Sequence, residues 1–176
     1  MGKVSVLVVS GDIAKINADA LITAINSGGL WFGGIDGVIN RVAGNLFHSQ
    51  AAKAMPLIDG QTVVAYRYGN SHRGAFANVV FVIDDLERPL HEVVYSGLRA
   101  ASDAGFKSVS LPTIRMGVML GNVEKSTKEA VREMTDGVTK FLSENANTPL
   151  ESITFVVYND KEVQFLLQSA LGQGEI

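Results

Sequence analysis

The stretch Asp19-Ala20-Leu21-Ile22-Thr23-Ala24-Ile25-Asn26-Ser27-Gly28-Gly29-Leu30-Trp31-Phe32-Gly33-Gly34-Ile35-Asp36-Gly37 passes from an apolar run through a glycine cluster into a helical pattern. Asp19 to Ala24 reads as a short strand, residues 27 to 34 as a loop, and Val38, Ile39 and Val42 recur at helical spacing between Asp36 and Ala43. Glycines at a strand-to-helix junction let the backbone approach a ligand and expose N–H groups at a helix start, which favours a phosphate or a ribose oxygen. The same glycines would also serve a plain flexible turn.

Working outward, Val4 to Val9 is a first strand that runs into Gly11-Asp12-Ile13. An aspartate leaving a strand end accepts hydrogen bonds from an exocyclic amine such as that of adenine, and it also caps turns and helices. Towards the carboxyl end, Ser108 to Leu111 is a strand followed by Pro112-Thr113-Ile114-Arg115-Met116-Gly117-Val118-Met119-Leu120-Gly121, a second loop with two glycines. Two such loops facing one cleft would suit a diphosphate. Arg115 invites a phosphate-clamp reading, against the alternative of a solvated loop arginine.

The remaining segments alternate. Leu46, Ala51 and Ala54 suggest a helical piece stopped by Pro56, and Thr62 to Tyr66 and Asn78 to Ile83 look like two neighbouring strands. Leu90 to Ala101 predicts a helix closing near Gly105. Asn122 is placed as the cap of a long helix with its stripe at Val123, Val131, Met134, Val138, Phe141 and Leu142. Ile153 to Tyr158 is the last strand and Val163 to Leu171 the last helix. Strands alternating with helices predict an α/β class, a three-layer α/β/α sandwich with a mixed, mostly parallel central sheet and ligand loops at the strand carboxyl ends.

Composition narrows the function classes. One domain over residues 1 to 176 is expected from the length, and no apolar stretch is long enough for a membrane span. A formal charge of -3 without Lys/Arg clusters argues against a nucleic-acid binder. The absence of cysteine excludes disulfides and thiolate zinc sites and is compatible with a cytoplasmic home. The first residues read as a strand and not as a signal peptide. His48, His72 and His91 lack metal-ligand spacing, so solvation or capping is expected for His72 and His91 and no metal is expected anywhere.

Taken in order, these segments resemble the macro domain family. Its pattern is Gly-Asp-Ile, then Asp-Ala-Ile-Val-Asn-Ala-Ala-Asn, a glycine run, Val-Asp-Gly-Ala-Ile, and later Phe-Pro-Ala-Ile-Ser-x-Gly-x-Tyr-Gly. Gly11 to Ile13, Asp19 to Asn26, Gly33 to Ile39 and Leu111 to Gly121 match it, and Val156-Val157-Tyr158-Asn159-Asp160 is similar to the family's last strand. The resemblance implies a monomeric ADP-ribose-binding module that uses neither cofactor nor metal and whose partner is free ADP-ribose or an ADP-ribosylated protein. It implies that Asp12 and Ile13 meet the adenine, that Tyr158 stacks on it, and that Asn26, Gly33, Gly34 and Ile35 lie by the distal ribose. Thr113, Arg115, Met116, Gly117, Val118 and Met119 would wrap the diphosphate.

Two functions follow from the resemblance. In the first, Asn26 and Asp36 position a water that hydrolyses a mono-ADP-ribosyl bond, an O-acetyl ester or an ADP-ribose-1''-phosphate. In the second, the chain reads ADP-ribose without turnover, which Trp31 and Phe32 in the glycine run and the absence of a second titratable group near Asp36 in the motif favour. An adenine-nucleotide or RNA-binding module is a third class, disfavoured by the acidic balance. The departures are Thr23 and Ile25 within the asparagine motif, Trp31 and Phe32 at the glycine run, Arg115 where a small residue is usual, and Met119 near the usual aromatic.

Overall fold

A computed structural model describes residues 4–28, 34–115, 121, 123–171 and 174–175, the last two as backbone only. The strands are β1 (Ser5–Ser10), β2 (Ala18–Ile25), β3 (Thr62–Ala65), β4 (Phe76–Ile83), β5 (Ser108–Pro112), β6 (Ser152–Val157) and β7 (Gly174–Glu175). The helices are α1 (Gly34–Ala43), α2 (His48–Ala54), α3 (Leu90–Asp103), α4 (Thr127–Glu144) and α5 (Lys161–Leu171), and a 3-10 turn spans Ile13–Lys15.

The strands form one sheet in the order β3-β4-β2-β5-β6-β1-β7. Its β4-β2-β5-β6-β1 centre is parallel, and β3 and β7 add antiparallel edges. This is the expected α/β class with a mixed, mostly parallel sheet. The expected pairing of the two strands around residues 69–74 also holds, since Thr62 faces Val82 and Ala65 faces Val79.

Strand alternation sorts the core into two layers. From β2 and β4, Ala20, Ile22, Ala24, Val80 and Val82 point to the side covered by α3, α4 and α5. Leu21, Ile25, Val79, Phe81 and Ile83 point to the side that holds Ile39 of α1 and Ala51 of α2. Near-continuous apolar runs are what a sheet buried on both faces requires. Two glycines let α3 settle closely. A Cβ at Gly97 would lie 2.5 Å from Ile22 of β2, and one at Gly137 of α4 would lie 2.8 Å from the His91 carbonyl. No larger side chain fits either crossing without displacing packed atoms.

The long helix starts later than its apolar stripe suggests. Ser126 is the cap, its side chain accepting from the Glu129 N–H at 3.1 Å, while Glu129 Oε2 accepts from the Lys125 N–H at 2.9 Å. Ser126-Thr127-Lys128-Glu129 has the spacing of a capping box, which sets the start more strongly than an upstream asparagine does. Val123 therefore precedes the helix, and Asn122, the expected cap, lies outside the described residues. Among the described residues, no helix is long and apolar enough to cross a membrane.

Candidate functional site

At the carboxyl end of β1, Gly11 has φ +156 and its N–H donates to the Val157 carbonyl of β6 at 3.0 Å, tying the two strand ends together. The chain then turns at Asp12, whose Oδ1 accepts the Ala14 N–H at 2.9 Å and caps the 3-10 turn. The capping reading of Asp12 holds. One carboxylate oxygen caps, and Oδ2 lies 3.6 Å from Arg41 Nη2 of α1.

Asp12 is one wall of a cleft of about 420 Å³ lined by Gly11, Asp12, Ile13, Gly34, Ile35, Val38, Arg41, Pro112, Thr113, Val156 and Tyr158. Four segments far apart in sequence meet there: the end of β1, the first two turns of α1, the end of β5 and the end of β6. On α1, Gly34, Ile35, Val38 and Arg41 share one face because they are spaced three, four and seven residues apart. The Tyr158 ring stands at the end of β6 with 78% of its surface exposed, and Ile13 is buried beneath the slot.

Of the residues expected at the site, Asp12, Ile13, Gly34, Ile35, Thr113 and Tyr158 converge on this cleft. Gly33, Met116, Gly117, Val118 and Met119, together with Trp31 and Phe32, lie outside the described residues. Asn26 sits half-buried just past β2 and is not among the described cleft walls. Arg41 and Val38 are cleft residues that the motif reading passed over. Their signal was the helical periodicity itself, which puts them on the face of Gly34 and Ile35.

Arg115 is not the phosphate clamp suggested above, nor is it solvated. Its side chain is 2% exposed. Nε and Nη2 donate to Asp84 at 3.0 and 2.7 Å, Nη1 donates to both oxygens of Glu124 at 2.9 and 3.1 Å, and Nη2 donates again to the Arg88 carbonyl at 2.6 Å. A guanidinium has five N–H donors, so none remains for a phosphate. Burial alone would pull its pKa down, but the hydrogen bonds to Asp84 and then Glu124 outweigh it and hold the pKa above the ordinary value. Glu124 also accepts from the Leu90 N–H at 3.3 Å, and Asp84 from the Leu86 N–H at 2.9 Å, so the carboxylates are shared with the backbone. The backbone of Arg115 has φ +62, a conformation bought for a non-glycine residue by this set of bonds.

Asp36, in the first turn of α1, is buried as well. Its side chain is 2% exposed and meets His48 Nε2 of α2 at 2.8 Å. The His48 ring also packs against Phe81 of β4, with centroids 4.9 Å apart. A second titratable group therefore does stand beside Asp36, but it comes from the next helix, twelve residues on, where a motif confined to the glycine run does not reach. As expected from its turn, His72 is held locally, accepting the Gly74 N–H at 3.0 Å. His91, at the start of α3, reaches Glu133 of α4.

Comparison with known proteins places this architecture. No family model matches the sequence. An uncharacterized protein of Aeropyrum pernix is 30% identical over 134 residues, 71% of this chain and 68% of its own. The O-acetyl-ADP-ribose deacetylase of Escherichia fergusonii is 26% identical over 176 residues, covering 96% of both chains. Among solved structures, the Trypanosoma brucei macrodomain in complex with ADP-ribose superposes with a TM-score of 0.78 at 23% identity, over 95% of this chain and 69% of that one. The shared sheet and helix arrangement, the end-to-end alignment with the deacetylase and the order of the loop motifs agree with one another, and the chain has the macro domain fold.

Proposed function

We propose that this chain is a single macro domain over residues 1–176 that binds ADP-ribose, free or attached to a protein, in the cleft between β1, α1, β5 and β6. The observation that carries the reading is the meeting of Asp12, Gly34, Ile35, Thr113 and Tyr158 around one cleft of about 420 Å³, a volume suited to a small ligand. In this reading Asp12 Oδ2 accepts the adenine amine, Ile13 meets the base and Tyr158 stacks on one of its faces. Asn26 and the segment Gly33 to Ile35 serve the distal ribose, while Thr113 to Met119 offer backbone N–H groups to the diphosphate, Arg115 included through its backbone alone. A monomer in the cytoplasm is the setting this reading assumes.

The relatives named O-acetyl-ADP-ribose deacetylase make the acetyl ester the derivative to test for turnover. Hydrolysis would add water across the ester and release acetate and ADP-ribose. One observation favours the second reading, recognition without turnover: a carboxylate that activates water must reach it, and the Asp36 side chain is 2% exposed and occupied by His48.

Titration calorimetry with ADP-ribose, using AMP and ribose 5-phosphate as controls, tests the binding. Saturable ADP-ribose binding tighter than both controls supports the cleft, and no heat with any of the three overturns it. Acetate release from O-acetyl-ADP-ribose then separates enzyme from reader. Release abolished by Asp36→Ala with binding retained establishes the hydrolase, and no release from the parent establishes the reader.

A further inference from the structure

Arg41 belongs to none of the motifs, yet it lines the cleft. It stands on the same face of α1 as Gly34, Ile35 and Val38. Its Nη2 lies 3.6 Å from Asp12 Oδ2, and the two side chains are 57% and 31% exposed. That is an ion pair beyond hydrogen-bond length between solvated groups, which holds neither partner firmly. Asp12 Oδ1 is already committed to the Ala14 N–H, so Oδ2 is the oxygen left to a ligand. The same end of the cleft carries the Tyr158 ring, 78% exposed. A carboxylate oxygen, a planar cation and an aromatic ring thus face one space, each loosely held.

A flat base with an exocyclic amine satisfies all three. Resting on the ADP-ribose reading above, we infer that Arg41 is a specificity-determining residue of the base slot. When adenine enters, its amine takes over Asp12 Oδ2, and the guanidinium, released from the ion pair, lies against the face of the base. Guanidinium planes stack on π systems in this way, with more gain than an ammonium offers. The alternative, that Arg41 neutralises the diphosphate, fits the spacing less well. The loop that opens at Thr113 serves that group in the reading above, whereas the Arg41 guanidinium stands 3.6 Å from Asp12, the residue assigned to the base.

The test compares Arg41→Ala and Arg41→Lys with the parent, using ADP-ribose by calorimetry and adenosine by NMR titration, each at low and high salt. Adenosine carries the base without the charge, so it separates stacking from neutralisation. Arg41→Ala should weaken both ligands by a similar factor, roughly three- to tenfold, with little salt dependence and an unchanged melting temperature, and Arg41→Lys should recover only a minor part. A loss confined to ADP-ribose that shrinks with salt overturns the inference in favour of charge neutralisation. Unchanged or tighter binding also overturns it, making Arg41 a mere competitor for Asp12. A parent protein that binds neither ligand fails earlier and brings down the cleft reading itself.

Discussion

Two arginine-carboxylate groups flank the ligand loops, and they could hardly be less alike. At the cleft, Arg41 and Asp12 are 57% and 31% exposed and stand 3.6 Å apart. Below the second loop, Arg115 and Asp84 are 2% and 1% exposed at 2.7 Å, with Glu124 completing the cluster. The first pair is worth little to the fold and leaves an oxygen and a guanidinium for a ligand. The second has every guanidinium donor spent within the protein. The residue types are the same, and it is burial with donor count that decides whether a charge serves the ligand or the frame.

The sharpest way to break this comparison is Arg115→Met. Removing the cation leaves Asp84 and Glu124 buried without compensation, which costs roughly 3 to 5 kcal/mol. Denaturant unfolding should show the loss, whereas the frame reading is refuted if stability holds and only ADP-ribose affinity falls. His48→Ala comes next. It strips Asp36 of a buried hydrogen-bond partner and opens space beside Phe81, for a loss of about 2 to 3 kcal/mol measured in the same way.

At the exposed pair the order reverses, with affinity moving more than stability. Asp12→Ala should weaken ADP-ribose binding by more than tenfold, about 1.5 to 3 kcal/mol, while losing about 1 kcal/mol of stability with the cap. Calorimetry and a melting curve on one sample give both numbers, and parent-like affinity would remove Asp12 from the base slot. The smallest effect belongs to Tyr158→Ala, where roughly 0.5 to 1.5 kcal/mol of stacking is lost from binding and the melting temperature stays within error, because the ring is exposed.

What the sequence reveals follows from the range over which each feature is encoded. Strand and helix positions rest on local period, so a sheet covered on both faces and the neighbouring strands that flank residues 69–74 were legible. The start of α4 was also local, in Ser126 to Glu129, but a longer apolar stripe drew attention upstream to Val123. The Asp36–His48 pair and the Arg115 cluster were not legible. Their partners sit 12, 31 and 9 residues away on other elements, and nothing in a single sequence signals that Glu124 turns inward. Arg41 lay between these cases, visible in the helical period of α1 once Gly34 and Ile35 are taken as a wall.

The strand order has a consequence in time. β1, made before every other strand of the sheet, pairs with β6 and β7, its Val6 opposite Ile153 and Gly174. At ordinary rates of synthesis the first strand waits roughly 10 to 30 seconds for its neighbour to be translated. During that wait, its apolar residues have no sheet to join, and closing so long a loop is the slow kind of step in folding. The same late pairing brings Gly11 and Asp12 up to Val156 and Tyr158. A nascent chain therefore completes the Asp12 and Tyr158 side of the cleft only once β6 has docked, and ligand capture there would report that step.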